Sequence, residues 1–93
     1  MTTKAKFPTG QIVATPGAIE ALHEADQGIL EFLLRHVSGD WGETGREDAA
    51  ENELALTEGF RIFSVYRTRL GVKLWLITEA DRSVTTLLLP EEY

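Results

Sequence analysis

The stretch that decides the fold is FRIFSVYRTRLGVKLWLITEADRSVTTLLL, Phe60 to Leu89. Three runs rich in Val, Ile, Leu, Thr and aromatic residues are separated by two polar breaks, Thr68-Arg69-Leu70-Gly71 and Ala80-Asp81-Arg82-Ser83. Short apolar runs bounded by turn residues predict consecutive antiparallel strands, here Phe60–Arg67, Val72–Glu79 and Val84–Leu89, a β-meander. Alternation puts Phe60, Ile62, Ser64 and Tyr66 on one face and Arg61, Phe63, Val65 and Arg67 on the other. In the next strand Leu74, Leu76 and Thr78 oppose Lys73, Trp75, Ile77 and Glu79. Both faces carry apolar residues, so both are expected to be covered at least in part. Helices would cover one face. The remaining helix, the Trp41 loop or a partner chain would cover the other.

Upstream, Gln11-Ile12-Val13-Ala14 is a short strand candidate after Gly10. Thr15-Pro16 is a helix start, with Thr as cap and Pro in the first turn. The helix Pro16–Ala25 is expected to turn Ala18, Ile19 and Leu22 to the core. A second helix, Ile29–Val37, carries the stripe Ile29, Leu30, Leu33, Leu34, Val37, widened by Phe32. A Trp between glycines in Gly39-Asp40-Trp41-Gly42 predicts an anchored turn. Thr44 with Glu47 reads as a capping box for a third helix over 46–58, stopped by Gly59. The expected fold is α+β: a short N-terminal strand, three helices, then a three-stranded antiparallel meander. Residues 1–9 read as a loose N-terminal arm and 10–93 as a single domain.

The chain has 93 residues, 43% hydrophobic and 26% charged, which suits one globular domain. It has no Cys, so disulfides, thiol nucleophiles and cysteine-ligated metals are excluded. No apolar run approaches the roughly 20 residues of a membrane span, and the start Met-Thr-Thr-Lys-Ala-Lys-Phe-Pro lacks the apolar region of a signal peptide. A cytoplasmic location is expected. The net charge of −6 disfavours non-specific nucleic-acid binding, although it allows a basic protein partner. For a small soluble protein such a charge is also ordinary solubility.

The richest polar cluster is Thr78, Glu79, Asp81, Arg82, Ser83, Thr85 and Thr86. Glu and Arg together could serve acid–base and phosphate-stabilising roles, as in metal-independent ribonucleases. The simpler reading is a turn in which Asp81 and Ser83 bond their own backbone and Arg82 pairs with Asp81 or Glu79. His23 and His36 have no metal-binding spacing and read as surface residues. No motif calls for a cofactor. Arg61, Arg67, Arg69 and Lys73 form a basic strip beside Tyr66 and Trp75. That composition suits single-stranded RNA, or an edge strand protected by charge, the reading favoured here.

The segments Gly39-Asp40-Trp41-Gly42, Gly59-Phe60-Arg61 and Trp75 to Tyr93, with its ITEADRSVTTLLLPEEY run, resemble a family of short, uncharacterised bacterial proteins labelled plasmid-related or hypothetical. The resemblance spans about Gly10 to Tyr93. It implies cargo of plasmids, phages and other mobile elements. A weaker architectural resemblance links helices followed by a meander to the barnase–EndoU–colicin–RelE group of small nucleases. That likeness implies Arg61, Glu79, Asp81, Arg82 and Thr85 as the positions to test.

The function expected from these observations is a non-enzymatic interaction protein of mobile elements. It would bind a protein partner, such as a defence or nucleic-acid-handling machine, through Asp40, Trp41, Tyr66, Trp75 and Arg82. The alternatives are a small ribonuclease toxin and a homodimer using the second sheet face.

Overall fold

The computed structural model describes residues 5–93. The elements run β1 (Gln11–Ala14), α1 (Pro16–Ala25), α2 (Ile29–Val37), α3 (Arg46–Glu58), β2 (Ile62–Arg67), β3 (Lys73–Thr78), β4 (Val84–Leu88) and a 3-10 turn, Pro90–Glu92. This is an α+β fold. One four-stranded sheet has the order β1-β4-β3-β2. The meander β2-β3-β4 is antiparallel, with Ser64 opposite Leu76 and Leu76 opposite Leu87. β1 adds to the free side of β4 in parallel, Gln11 opposite Val84 and Ala14 opposite Leu87. The sheet is therefore mixed. The chain enters β1 through Gly10, at φ +65, where a Cβ would collide with the Ser83 carbonyl. Only glycine fits that approach.

α1 and α2 lie on one sheet face. Ala18, Ala21 and Leu22 of α1 and Phe32 of α2 meet Tyr66, Leu74, Leu76 and Leu87. Alanine at two of the α1 contacts lets the helix backbone come close to the strands. Burying Phe32 alone contributes on the order of 2 kcal/mol. The predicted stripes are met in part. Ile19, Leu30 and Leu34 stay 55%, 63% and 53% exposed, while Phe32 and His36, one turn apart, form the buried line of α2. A histidine can sit there because both ring nitrogens find partners, Ser64 Oγ at 2.6 Å from Nδ1 and Thr78 Oγ1 at 2.9 Å from Nε2. The surface reading of His36 is thus corrected. His23 is exposed as expected.

A second cluster, Phe7, Trp41, Ala55 and Ile62, closes the β2 end. Phe7 is buried and the Lys6 amide donates to the Val37 carbonyl at 2.8 Å. The chain is anchored ahead of Gly10, so the loose arm does not extend through Phe7. Residues 1–4 of the expected arm lie outside the described residues. α3 begins one residue later than a Thr44 capping box requires. Gly45 is its N-cap, with no side-chain capping bond. On α3, Asn52 and Ala55 are buried while the apolar Ala50 and Leu54 are exposed. The reason is its position beside the β2 edge. There Asn52 Nδ2 donates to the Phe63 carbonyl (2.6 Å) and the Phe63 amide donates to Asn52 Oδ1 (3.0 Å).

Candidate functional site

With α1 and α2 on one face, the opposite face of the sheet carries Phe63 and Val65 from β2, Trp75 and Ile77 from β3, and Thr86 and Leu88 from β4. Strand alternation puts them there. Among the described residues the C-terminal turn covers part of this second face, where Val65, Ile77 and Leu88 are buried. After β4, Pro90–Glu92 turns the chain back. The Glu92 carboxylate accepts bonds from the Thr15 hydroxyl, the Gly17 amide (2.9 Å) and the Leu89 amide (2.9 Å). The Thr15 hydroxyl, then the two amides, hold this carboxyl below its usual range. Thr15 meanwhile caps α1 by accepting from the Ala18 amide. This anchor delivers Tyr93 to the sheet, where its ring meets Trp75 edge to face at 5.6 Å. Trp75 meets Phe63 the same way at 5.1 Å.

The result is a shallow apolar depression of about 230 Å³ lined by Arg61, Phe63, Trp75, Ile77 and Tyr93. Arg61 stands at its end, donating to the Tyr93 hydroxyl at 3.1 Å and lying 3.4 Å from Glu79. Arg67 and Lys73 face each other across β2 and β3 on the same side of the sheet. Arg67 pairs with Glu43 at 2.9 Å, whereas Lys73 has no ion-pair partner among the described residues. Residues 60–79 hold four bases and one acid, against five bases and fourteen acids elsewhere. Arg69 lies 4.0 Å from Asp26, so three of the four bases are ion-paired and the local positive charge of the hairpin is centred on Lys73.

The residues singled out from sequence fall into two sets. Arg61, Glu79 and Trp75 come together at this depression. The others serve the fold. Trp41 and Tyr66 are 7% and 1% exposed: the anchored turn expected at Trp41 is present, and the expectation that the two residues present a binding surface is corrected. Trp41 donates from its indole to Glu53 at 2.9 Å, and its carbonyl takes the Val65 amide. The Tyr66 hydroxyl donates to the Asp40 carbonyl at 2.6 Å, and burial pushes its pKa up to about 12. Asp40 pairs with Arg35 at 2.7 Å, and that bond keeps its carboxyl below the usual range.

Arg82 sits at φ +62 and spends its guanidinium on backbone carbonyls: Phe60 (2.7 Å), Glu79 (3.1 Å), Ala80 (3.3 Å) and Ala55 (2.9 Å). Asp81 accepts from the Ser83 amide, closing a turn. Thr85 is fully buried and donates to the Thr9 carbonyl at 2.8 Å. Arg61, Glu79, Asp81, Arg82 and Thr85 therefore do not converge on one cavity.

Alternation puts Phe63 and Ile77 on this face, but nothing in the sequence marks them as site residues. The face itself is signalled by a run of apolar residues opposite Ile62, Ser64 and Tyr66. Nothing local to Glu91-Glu92-Tyr93 announces that the tail returns to the sheet. Among the described residues there is no group of three or more His, Asp or Glu side chains able to hold a metal, and no helix is long and apolar enough to cross a membrane. No protein-family model, curated protein or solved structure matches the chain.

Proposed function

We propose that this chain is a small non-enzymatic binding protein that docks a protein partner on the open sheet face. The observation that carries the reading is the aromatic depression of Phe63, Trp75 and Tyr93 on a face that α1 and α2 leave bare. Its partner is a protein segment offering one apolar side chain to that depression and a carboxylate to Lys73. The bound side chain would be buried against aromatic rings, the kind of contact that dominates interface energetics. Charge supports the same occupant. The hairpin is locally basic, which favours an acidic segment. At long range the net charge of −6 opposes a polyanion such as nucleic acid, so only a short segment held by the local charge at Lys73 fits. A cytoplasmic setting and carriage by mobile elements are part of this proposal and rest on the sequence alone.

The test uses tagged wild type, Trp75→Ala and Trp41→Phe recovered from the native host. A protein retained stoichiometrically by wild type and Trp41→Phe but lost with Trp75→Ala is then purified and titrated against both. Loss of binding by at least tenfold in Trp75→Ala, with unchanged thermal stability, supports the proposal. Equal binding by wild type and Trp75→Ala overturns it.

The 3.4 Å approach of Arg61 and Glu79 at the rim supports one second reading, a metal-independent ribonuclease. RNA cleavage by the pure protein, abolished by Glu79→Gln, would replace the binding function with that one.

A further inference from the structure

The two edges of the sheet are finished differently. On the β2 edge every outward backbone group over Phe63–Val65 is taken. The Asn52 amide pairs with Phe63, the Val65 amide donates to the Trp41 carbonyl (3.1 Å), and the Glu43 amide donates to the Val65 carbonyl (2.6 Å). A bridge between Gly42 and Val65 makes that loop a substitute strand. Gly42 is obligatory there, because at φ +71 a Cβ would strike the Val65 carbonyl.

The β1 edge has no such cover. The Gln11 amide donates to the Ser83 carbonyl, just ahead of β4, and the Thr15 amide to the Leu87 carbonyl on β4. Alternate residues of a parallel strand turn their backbone groups to opposite sides, so the N–H and C=O of Ile12 and Ala14 point away from the sheet. They have no partner among the described residues. The strand Gln11–Ala14 is only four residues long, which limits open-ended pairing, but it holds neither Lys, Pro nor a bulge to block a single partner strand. Ile12 and Val13 are 37% and 36% exposed.

We infer that β1 pairs with β1 of a second copy of this chain, antiparallel, about a two-fold axis at Val13. Two outward residues placed evenly about Val13 let a second copy satisfy them by symmetry. Ile12 of one copy lies opposite Ala14 of the other, and the reverse, which satisfies four N–H and C=O pairs symmetrically. Val13 then meets Val13 of the partner as the central non-hydrogen-bonded pair. Such pairs bring side chains closest, and an apolar β-branched residue is its own complement there. The axis is perpendicular to the sheet, so the two four-stranded sheets join edge to edge with their bare faces on the same side. At a strand spacing of about 4.8 Å and a rise of about 3.3 Å per residue, the two Trp75 positions lie about 24 Å apart across the strands and about 13 Å along them, about 27 Å in all. The dimer presents two copies of the aromatic depression side by side. This inference does not depend on what that depression binds.

The experiment combines solution mass with a designed cross-link. The chain has no Cys, so Val13→Cys places one thiol at the axis, where paired Cα atoms about 4.5–5.5 Å apart can form a disulfide. Gln11→Cys is the control, because its copies would sit four residues out of register, about 13 Å apart. Sedimentation equilibrium of wild type should show mass rising with concentration toward twice the monomer. Val13→Lys should lower association at least tenfold by placing two ammonium groups face to face. Under mild oxidation Val13→Cys should cross-link at least tenfold faster than Gln11→Cys. A monomer at every concentration overturns the inference. So does a dimer whose two cysteine variants cross-link at equal rates. Should Val13→Lys fail to fold, the two cysteine variants decide.

Discussion

The side-chain amide of Asn52 pairs with the backbone of Phe63 as a neighbouring strand would, donating at 2.6 Å and accepting at 3.0 Å. An amide carries a donor and an acceptor side by side, as a peptide group does, so a helix side chain closes the edge of the sheet. Asn52→Ala leaves the Phe63 N–H and C=O without partners in a part-buried site. The expected cost is about 2–3 kcal/mol by chemical denaturation, and Asn52→Asp should not restore it, because a carboxylate cannot donate to the carbonyl. A change below 0.5 kcal/mol would contradict the edge-closing role.

Four hydroxyl and imidazole groups form a directed chain beneath the sheet. Thr85 gives its proton to the Thr9 carbonyl, so at 2.7 Å it accepts from Thr78, and Thr78 accepts from His36 Nε2–H. His36 Nδ1 is left to accept from Ser64. Every proton is assigned with the imidazole neutral. Burial, then the nearby Arg82 charge, lowers the His36 pKa from 6.5 to about 4. The rings of Phe7 and Trp41 also face it, and neither offers a counter-charge. The folded pKa is depressed, so the unfolded chain takes up the proton first as pH falls. The stabilisation is complete above about pH 6.5 and is lost progressively down to about pH 4. About 3 kcal/mol is the upper bound. Urea denaturation of wild type and His36→Gln at pH 7, 5.5 and 4 checks this. The stability difference between them should shrink as pH falls, and a constant difference would rule out the linkage.

Arg82 holds the last turn of α3, the approach to β2 and the β3–β4 turn through four carbonyls. Its guanidinium also sits where a cation favours the C-terminal end of a helix dipole. Arg82→Ala should cost about 2–3 kcal/mol, and Arg82→Lys should recover little of it, since one ammonium cannot reach carbonyls in several directions. Arg82→Gly relieves the φ of +62 yet removes the clamp, so it should still be destabilised. Full stability in all three would refute the structural role and return Arg82 to the list of functional candidates.

Glu92 fastens the C-terminal turn to the start of α1, and that turn brings Tyr93 against Trp75. Glu92→Ala should free the turn and open one wall of the depression. In a Trp41→Phe background, Trp75 fluorescence should shift to the red and be quenched more readily by acrylamide. The same spectrum with and without Glu92 would show that Tyr93 is held by its ring contacts and Arg61 alone.

The β2–β3 hairpin, the third meander strand and all three helices were legible because each rests on a local signal. These signals are period-two alternation around Gly71, a Thr-Pro helix start and a Gly59 stop. Local pattern failed where burial depended on a distant partner. On α2, Ile29, Phe32 and Leu33 pack on the core as expected, whereas Leu30 and Leu34 stay exposed and His36 takes a core place, since a histidine counts as polar until Ser64 and Thr78 are seen beside it. On α3, Asn52 reads as a surface residue until Phe63 stands opposite. Trp41 and Tyr66 were singled out as large amphipathic residues, a property equally suited to an anchor and to an interface.

By itself the sequence determined the order and type of the elements, the membership of each strand face and the absence of cysteine chemistry. Those follow from period, turn residues and composition, which act over a few neighbours. Tertiary structure alone decided that β1 runs parallel beside β4. It also closed the β2 edge with Asn52 and the Trp41 loop, and placed Tyr93 with Phe63, Trp75 and Arg61 on the bare face. Each of those contacts joins residues at least eleven positions apart in the chain, and long-range pairing is selected by the collective burial of the whole fold rather than by any local preference.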